Sequence, residues 1–124
     1  MFEFPKEQIL SNENEIENLF LTNNSFEEAP FRVLWMVEES INETTLKSLI
    51  VVPKKRLSLA VNRNKVKRRI REALRKDKLT LEEALKDNRK KINLAIIYQN
   101  KKILNYNIIE QKIKVILDRL KENL

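Results

Sequence analysis

Two spacings of apolar residues alternate along the chain, one of two residues and one of about 3.6, and they divide it into strands and helices. From Asn12 to Leu21, Ile16, Leu19 and Phe20 fall on one face and predict a first helix, with Phe20 part of its core stripe. Asn12 and Glu15 have N-cap and N3 spacing, and Thr22-Asn23-Asn24-Ser25 stops the helix. Phe31 to Glu38 alternates, with Phe31, Val33, Trp35 and Val37 on one side and Arg32, Leu34, Met36 and Glu38 on the other. Leu46 to Val52 is a second strand, and the connection between the two predicts that they pair as an antiparallel hairpin. Phe26 to Glu28 is a candidate short edge strand.

The second half repeats the alternation on a larger scale. Val66, Ile70, Ala73 and Leu74 predict a helix with one apolar face, and Thr80 is placed to cap a short helix over Leu81 to Asn88. The run INLAIIYQ, Ile92 to Gln99, is too short for a helix and rich in branched residues, so it predicts a buried strand. Asn107 to Glu122 carries Ile109, Ile113, Ile116, Leu117, Leu120 and Leu124 at helical spacing, with Asn107 and Glu110 at N-cap and N3. Strand, helix and strand form a β-α-β unit over residues 46–99. The expected class is α+β: a small sheet of about four strands with three main helices, in one domain over residues 1–124, with residues 1–10 flexible.

Charge changes this picture because it is sorted by region. Residues 1–44 hold 2 basic and 10 acidic side chains, whereas residues 45–76 hold 12 basic and 1 acidic. Within the central helix Asn64, Arg68, Arg71 and Arg75 lie opposite the apolar stripe, and Lys65 and Arg69 lie on its flank. Like charges three and four residues apart repel along a helix, so a row of this kind points to a polyanionic partner.

Composition removes several alternatives. Cysteine, histidine and glycine are absent, which excludes disulfides, thiol chemistry, the usual zinc sites, phosphate-cradling glycine loops and dinucleotide fingerprints. The clustered carboxylates Glu13, Glu15, Glu17, Glu27 and Glu28 could hold Mg²⁺, but a solvated helix start accounts for them more simply. No catalytic constellation is present. No apolar run approaches the length of a membrane span, and the start, Met1 to Glu7, does not resemble a secretion signal, so a cytoplasmic protein that binds no membrane is expected.

Lys54-Lys55, followed by Ala60-Val61-Asn62-Arg63-Asn64-Lys65-Val66-Lys67-Arg68-Arg69-Ile70-Arg71-Glu72-Ala73, resembles the signature of the bacterial ribonuclease P protein subunit. In that signature a strand ends in a Lys-Lys pair, and after a short turn a helix opens with Arg-Asn, then Lys-Arg and a further Arg. The resemblance implies a left-handed crossover in the β-α-β unit and a protein that holds a catalytic RNA and the 5′ leader of precursor tRNA. It implies that Arg63, Asn64, Lys65, Lys67, Arg68 and Arg71 lie against the ribonuclease P RNA. It also implies a cleft between the basic helix, the sheet face and the first helix. This cleft would take the leader at Ile16, Phe20, Phe31, Trp35, Lys54 and Lys55, with either Trp35 or Leu34 in the strand position. Mg²⁺ would be required and held largely by the RNA. The chain departs from the signature in three places. Its turn, Arg56-Leu57-Ser58-Leu59, lacks glycine, residues 1–44 are acidic, and Ile16 stands where an aromatic is usual. Outside the resemblance, a ribosomal-type RNA-binding protein and a DNA-binding helix remain as other readings.

Overall fold

The computed structural model describes residues 9–22, 24–40 and 45–124. The elements are α1 (Glu13–Leu21), β1 (Ser25–Glu28), β2 (Phe31–Glu39), β3 (Leu46–Val51), α2 (Ala60–Asp77), α3 (Leu79–Asp87), β4 (Lys90–Tyr98) and α4 (Tyr106–Glu122). They form an α+β fold whose sheet has the order β1-β2-β4-β3. β4 is antiparallel to β2 and parallel to β3. The parallel pair, joined through α2 and α3, is the expected β-α-β unit.

The expected hairpin between Phe31–Glu38 and Leu46–Val52 does not form, because β4 lies between those two strands. The reason is burial. Ile92, Asn93, Leu94, Ala95 and Ile96 are consecutive buried residues, so β4 is covered on both faces. A β2–β3 hairpin would have displaced this run to a sheet edge, where its apolar surface and its ladder of backbone groups would meet water.

The two faces of the sheet bury different clusters. Ile92, Leu94, Ile96 and Tyr98 of β4, with Phe31 and Val33 of β2, pack against Val66, Ile70, Ala73 and Leu74 of α2 and against Ile109, Ile113, Ile116 and Leu120 of α4. Each fully buried aliphatic side chain of this kind contributes about 1.5–3 kcal/mol. The other face is smaller: Leu34 and Ala95 meet Leu10 and Leu19, with Ile16, Met36, Leu49 and Ile97 at the margin. Among the described residues, α1 and Leu10 cover it, and Arg32, Val51 and Ile97 on that face keep part of their surface exposed.

Local signals decide the helix ends. The Asn12 side chain accepts from the Glu15 N–H at 3.1 Å, as its spacing predicts. The cap of α4 is Asn105, which accepts from Ile108 N–H at 3.0 Å, and not Asn107. The earlier start lets the Tyr106 hydroxyl reach the Glu110 carboxylate one turn on, at 2.9 Å. Thr80 is not a cap either. Lys78 ends α2 and begins α3 in right-handed helical conformation, so the chain passes between the helices without an extended residue. Of the segment 1–10, residues 1–8 lie outside the described residues. Ile9 bridges to Ser48, and Leu10 is buried and donates its N–H to the Ser48 carbonyl at 3.0 Å.

Candidate nucleic-acid interface

The apolar stripe of α2 fixes which of its cations can reach a partner. Because Val66, Ile70, Ala73 and Leu74 are buried, Asn64, Lys65, Arg68 and Arg71 project outward and are exposed, while Lys67 is half-buried at the border. Among the described residues none of these cations has an acidic partner. Further along the helix the charges are neutralised. Arg75 pairs with Glu72 at 2.7 Å, and Lys76 with Glu110 at 3.2 Å. The Arg75 hydrogen bond holds the Glu72 carboxyl below its ordinary value, and Tyr106 and Lys76 do the same for Glu110. The free positive charge therefore gathers in the N-terminal two-thirds of the helix.

Arg63 is brought to the same region but has a second role. Its Nη1 donates to the carbonyls of Leu57 (3.0 Å) and Ser58 (2.7 Å), tying the turn back to the helix. Leu57 is buried and anchors the turn from inside. The Pro53 carbonyl accepts from Arg56 N–H at 3.0 Å and from Leu57 N–H at 3.2 Å. This turn needs no positive φ, so the missing glycine costs it nothing. Lys54 and Lys55 are exposed on it. The first turn of α2 carries no acidic residue and no side-chain cap, so its backbone N–H groups add to the positive field.

The sheet face beneath α1 is the second surface. Three strands meet there in register: Leu34, Ala95 and Leu49 form one row, and Arg32, Ile97 and Val51 the next. The first row lies under Leu19 and Ile16; in the second, Ile97 and Val51 are half-buried and Arg32 is exposed. Phe20 leaves 48% of its surface exposed on α1, so it is not the core residue that its spacing suggests. Phe31 and Trp35 are on the opposite side of the sheet. Phe31 is fully buried against Tyr98, with ring centroids 5.8 Å apart, and Trp35 packs on the same large core. The structure thus brings Ile16 together with Leu34 and leaves Phe20 exposed one turn after Ile16 on α1, with Phe31 and Trp35 on the far side of the sheet. Of the two candidates for the strand position, Leu34 faces α1. Arg32, Val51 and Ile97 belong to this face and were not singled out from the sequence. The signal for Arg32 was present, since strand alternation already places it beside Leu34.

Of the seven described acids of the first third, Glu15, Glu28 and Glu38 are paired, whereas Glu13, Glu17, Glu27 and Glu39 are exposed. Glu15 pairs with Lys47 at 3.4 Å and accepts from the Asn93 amide at 3.0 Å. Burial works against its charged form, yet Asn93 and Lys47 together hold its pKa below the ordinary value. Glu38 pairs with Lys91 at 3.4 Å, and Glu28 with Lys112 at 3.6 Å and Arg119 at 3.5 Å. Among the described residues no group of three or more carboxylates is placed to cage a metal ion. No helix among the described residues is long and apolar enough to cross a membrane.

Residues 4–121 match the family model for ribonuclease P. The chain is 28% identical over 122 residues to the ribonuclease P protein component of Porphyromonas gingivalis, covering 98% of this chain and 89% of that protein. Its fold is similar to that of the Staphylococcus aureus ribonuclease P protein, with a TM-score of 0.69 at 22% identity, covering 92% of this chain and 95% of that one. The Thermotoga maritima ribonuclease P protein gives a TM-score of 0.67 at 22% identity over 90% of this chain and 96% of its own. With an exposed cationic helix on this fold and a family match along nearly its whole length, the chain belongs to the ribonuclease P protein family and serves as the RNA-binding protein subunit of that tRNA-processing, Mg²⁺-using endonuclease.

Proposed function

We propose that α2 docks on the ribonuclease P RNA through Arg63, Asn64, Lys65, Lys67, Arg68 and Arg71, while the sheet face beneath α1 receives the 5′ leader of precursor tRNA in the cytoplasm. The observation that carries the docking reading is the row of exposed cations on α2 with no acidic partner among the described residues. Guanidinium groups bond phosphate in bidentate fashion, and folded RNA is read largely through shape and backbone, which suits such a row. The leader reading rests on the face that holds Ile16, Leu34, Ile97, Val51 and Arg32, with Phe20 exposed one turn after Ile16 on α1 and Lys54 and Lys55 following the end of β3. A single strand needs an aromatic or apolar platform beside positive charge, and this face has both. Phe31 and Trp35 support that face from the far side of the sheet and do not meet the leader. Mg²⁺ is held largely by the RNA in this reading.

The test is reconstitution with the ribonuclease P RNA of the same source and a 5′-extended precursor tRNA at low Mg²⁺. Leader release should depend on the protein and fall with an Arg68→Ala/Arg71→Ala double substitution. RNA binding without stimulated cleavage would instead indicate a ribosomal-type role.

A further inference from the structure

We infer that the RNA-contacting surface continues beyond the arginine row, across the seam between α2 and α4, and that Lys65, Lys101 and Lys102 there take backbone phosphates of the folded ribonuclease P RNA. This inference rests on the docking reading of α2 given above.

The placement comes from Arg69. Its Nη1 donates to the Leu104 carbonyl at 2.6 Å, which fastens the loop between β4 and α4 to the flank of α2. Lys65 stands one turn before Arg69 on that flank and is exposed. Lys76, two turns beyond Arg69, reaches Glu110 of α4, so the whole stripe 65-69-76 faces the α4 side. Lys67 and Arg71 lie on the other flank. The loop therefore adds its charge to a part of α2 that the arginine row does not occupy.

The loop is held by bonds that leave its lysines free. The buried Tyr98 hydroxyl donates to the Lys102 carbonyl and accepts from Leu104 N–H at 3.2 Å. Asn100 Oδ1 accepts from Lys102 N–H at 2.8 Å, and Gln99 N–H donates to the Pro30 carbonyl at 2.8 Å. Lys101 and Lys102 are exposed. A backbone fixed in this way loses little conformational freedom on binding, so its two amines are presented at low entropic cost.

Electrostatics and chemistry select the partner. Glu72 is engaged by Arg75 and Glu110 by Lys76, Lys114 and Tyr106. Asp77, at the far end of the seam from Lys65, holds a buried Oδ2, and burial pushes its carboxyl toward the neutral form. Among the described residues no acid pairs with Lys65, Lys101 or Lys102, so the cluster faces outward as net positive charge. It carries no open aromatic platform, because Tyr98 is buried and Tyr106 is bonded to Glu110. Amines without a stacking surface match the backbone of folded RNA and not a single strand whose bases need a ring to lie on. The occupant is accordingly the catalytic RNA and not the leader.

The experiment measures affinity of the full-length protein for ribonuclease P RNA alone, without precursor tRNA, over a salt series. Lys101→Ala/Lys102→Ala is compared with the parent protein, with Arg68→Ala/Arg71→Ala, and with the charge-matched control Lys86→Ala/Lys121→Ala. The control removes two exposed lysines outside this loop, one in the last turn of α3 and one in the last turn of α4. Each lost phosphate contact should lower the log–log salt slope by roughly 0.7–0.9 and weaken binding about fivefold at 0.15 M salt. The expected result is a fall of this size for Lys101/Lys102, little change for the control, unchanged thermal melting, and protection of both lysines from acetylation when RNA is bound. An unchanged slope for Lys101/Lys102 beside a lowered one for Arg68/Arg71 overturns the extended surface and leaves the docking reading standing. Unchanged slopes for both doubles overturn the docking reading itself. An equal loss in the control reduces the effect to net charge and likewise overturns the extended surface.

Discussion

Phe20 and Phe31 are both phenylalanines expected at the leader site, and the structure separates them in a way that kinetics can check. Phe20 exposes 48% of its surface on α1, whereas Phe31 exposes none and lies against Tyr98 in the large core. Fully burying a phenylalanine contributes about 1.5–3 kcal/mol, so truncating the half-buried Phe20 should cost roughly 1–1.5 kcal/mol. Truncating Phe31 should cost about 3–5 kcal/mol, since a cavity is added to the lost transfer energy. The functional order is reversed. If a leader base stacks on Phe20, its loss removes about 1–3 kcal/mol, or between roughly fivefold and a hundredfold in affinity for a substrate with a leader. The assay is single-turnover cleavage by the reconstituted enzyme with a long-leader and a one-nucleotide-leader precursor, at a temperature where both variants are folded. Phe20→Ala should weaken the long-leader substrate selectively and leave the salt dependence of RNA binding unchanged. Phe31→Ala should lower the melting temperature far more and show no selectivity between leaders. Equal losses on the two substrates for Phe20→Ala would refute the assignment of this face to the leader.

Three other expectations test the structure itself. Asn105→Ala should cost about 0.5–2 kcal/mol in denaturant unfolding through loss of the α4 cap, while Asn107→Ala should be nearly neutral; the reverse order would restore Asn107 as the cap. Arg89 is exposed and has a φ of 53°, so Arg89→Gly should stabilise by about 0.5–1 kcal/mol and raise the melting temperature by roughly 2–5 °C; a lower melting temperature would show that its side chain matters. Burial and the Glu110 carboxylate push Tyr106 up to about 12, and burial pushes Tyr98 upward as well. A raised folded pKa means that stability is complete below the unfolded value near 10 and is lost as pH rises toward 12. Absorbance titration should therefore find neither of the two tyrosines ionising at its usual pH, and Tyr106→Phe should lessen the alkaline loss of stability.

Much of this molecule could be read from the chain because its signals are local. The alternation of β2 put Leu34 and Met36 on one side and Phe31, Val33, Trp35 and Val37 on the other, and the two clusters divide in that way. The stripe on α2 named its buried residues, and the polar face followed. What local pattern did not contain was the partner of each strand. Alternation gives faces but not neighbours, so a short connection points to the nearest strand in sequence as the neighbour in space, although the burial of β4 on both faces requires the centre of the sheet. The same gap affected the site. With β4 assigned no place between β2 and β3, the row Arg32–Ile97–Val51 could not be assembled. Asn105 was missed for a smaller reason: two asparagines stand two residues apart, and the choice between them depends on the Tyr106–Glu110 bond.

The strongest objection to nucleic-acid binding in the sequence was its first third, with 10 acids against 2 cations. Tertiary structure answers it in part: of the seven described acids there, Glu15, Glu28 and Glu38 are paired, while Glu13, Glu17, Glu27 and Glu39 stay exposed. Acids of that third meet cations supplied by later elements: Lys47 of β3, Lys91 of β4, and Lys112 and Arg119 of α4. Exposed pairs of this kind add little stability, on the order of 0–1 kcal/mol each. Their larger effect is on where charge remains, because each pair cancels both signs locally and leaves the unpaired cations of α2 and its preceding turn uncancelled. Arg119 shows that the arrangement also serves the fold, since it donates to the Glu27 carbonyl on the edge strand β1 and lies 3.9 Å over the Phe26 ring. Net charge by sequence segment is therefore a poor guide to the charge that a partner meets. The useful quantity is where charge remains after the fold has made its pairs, and here the densest unpaired positive charge lies on α2 and the turn before it.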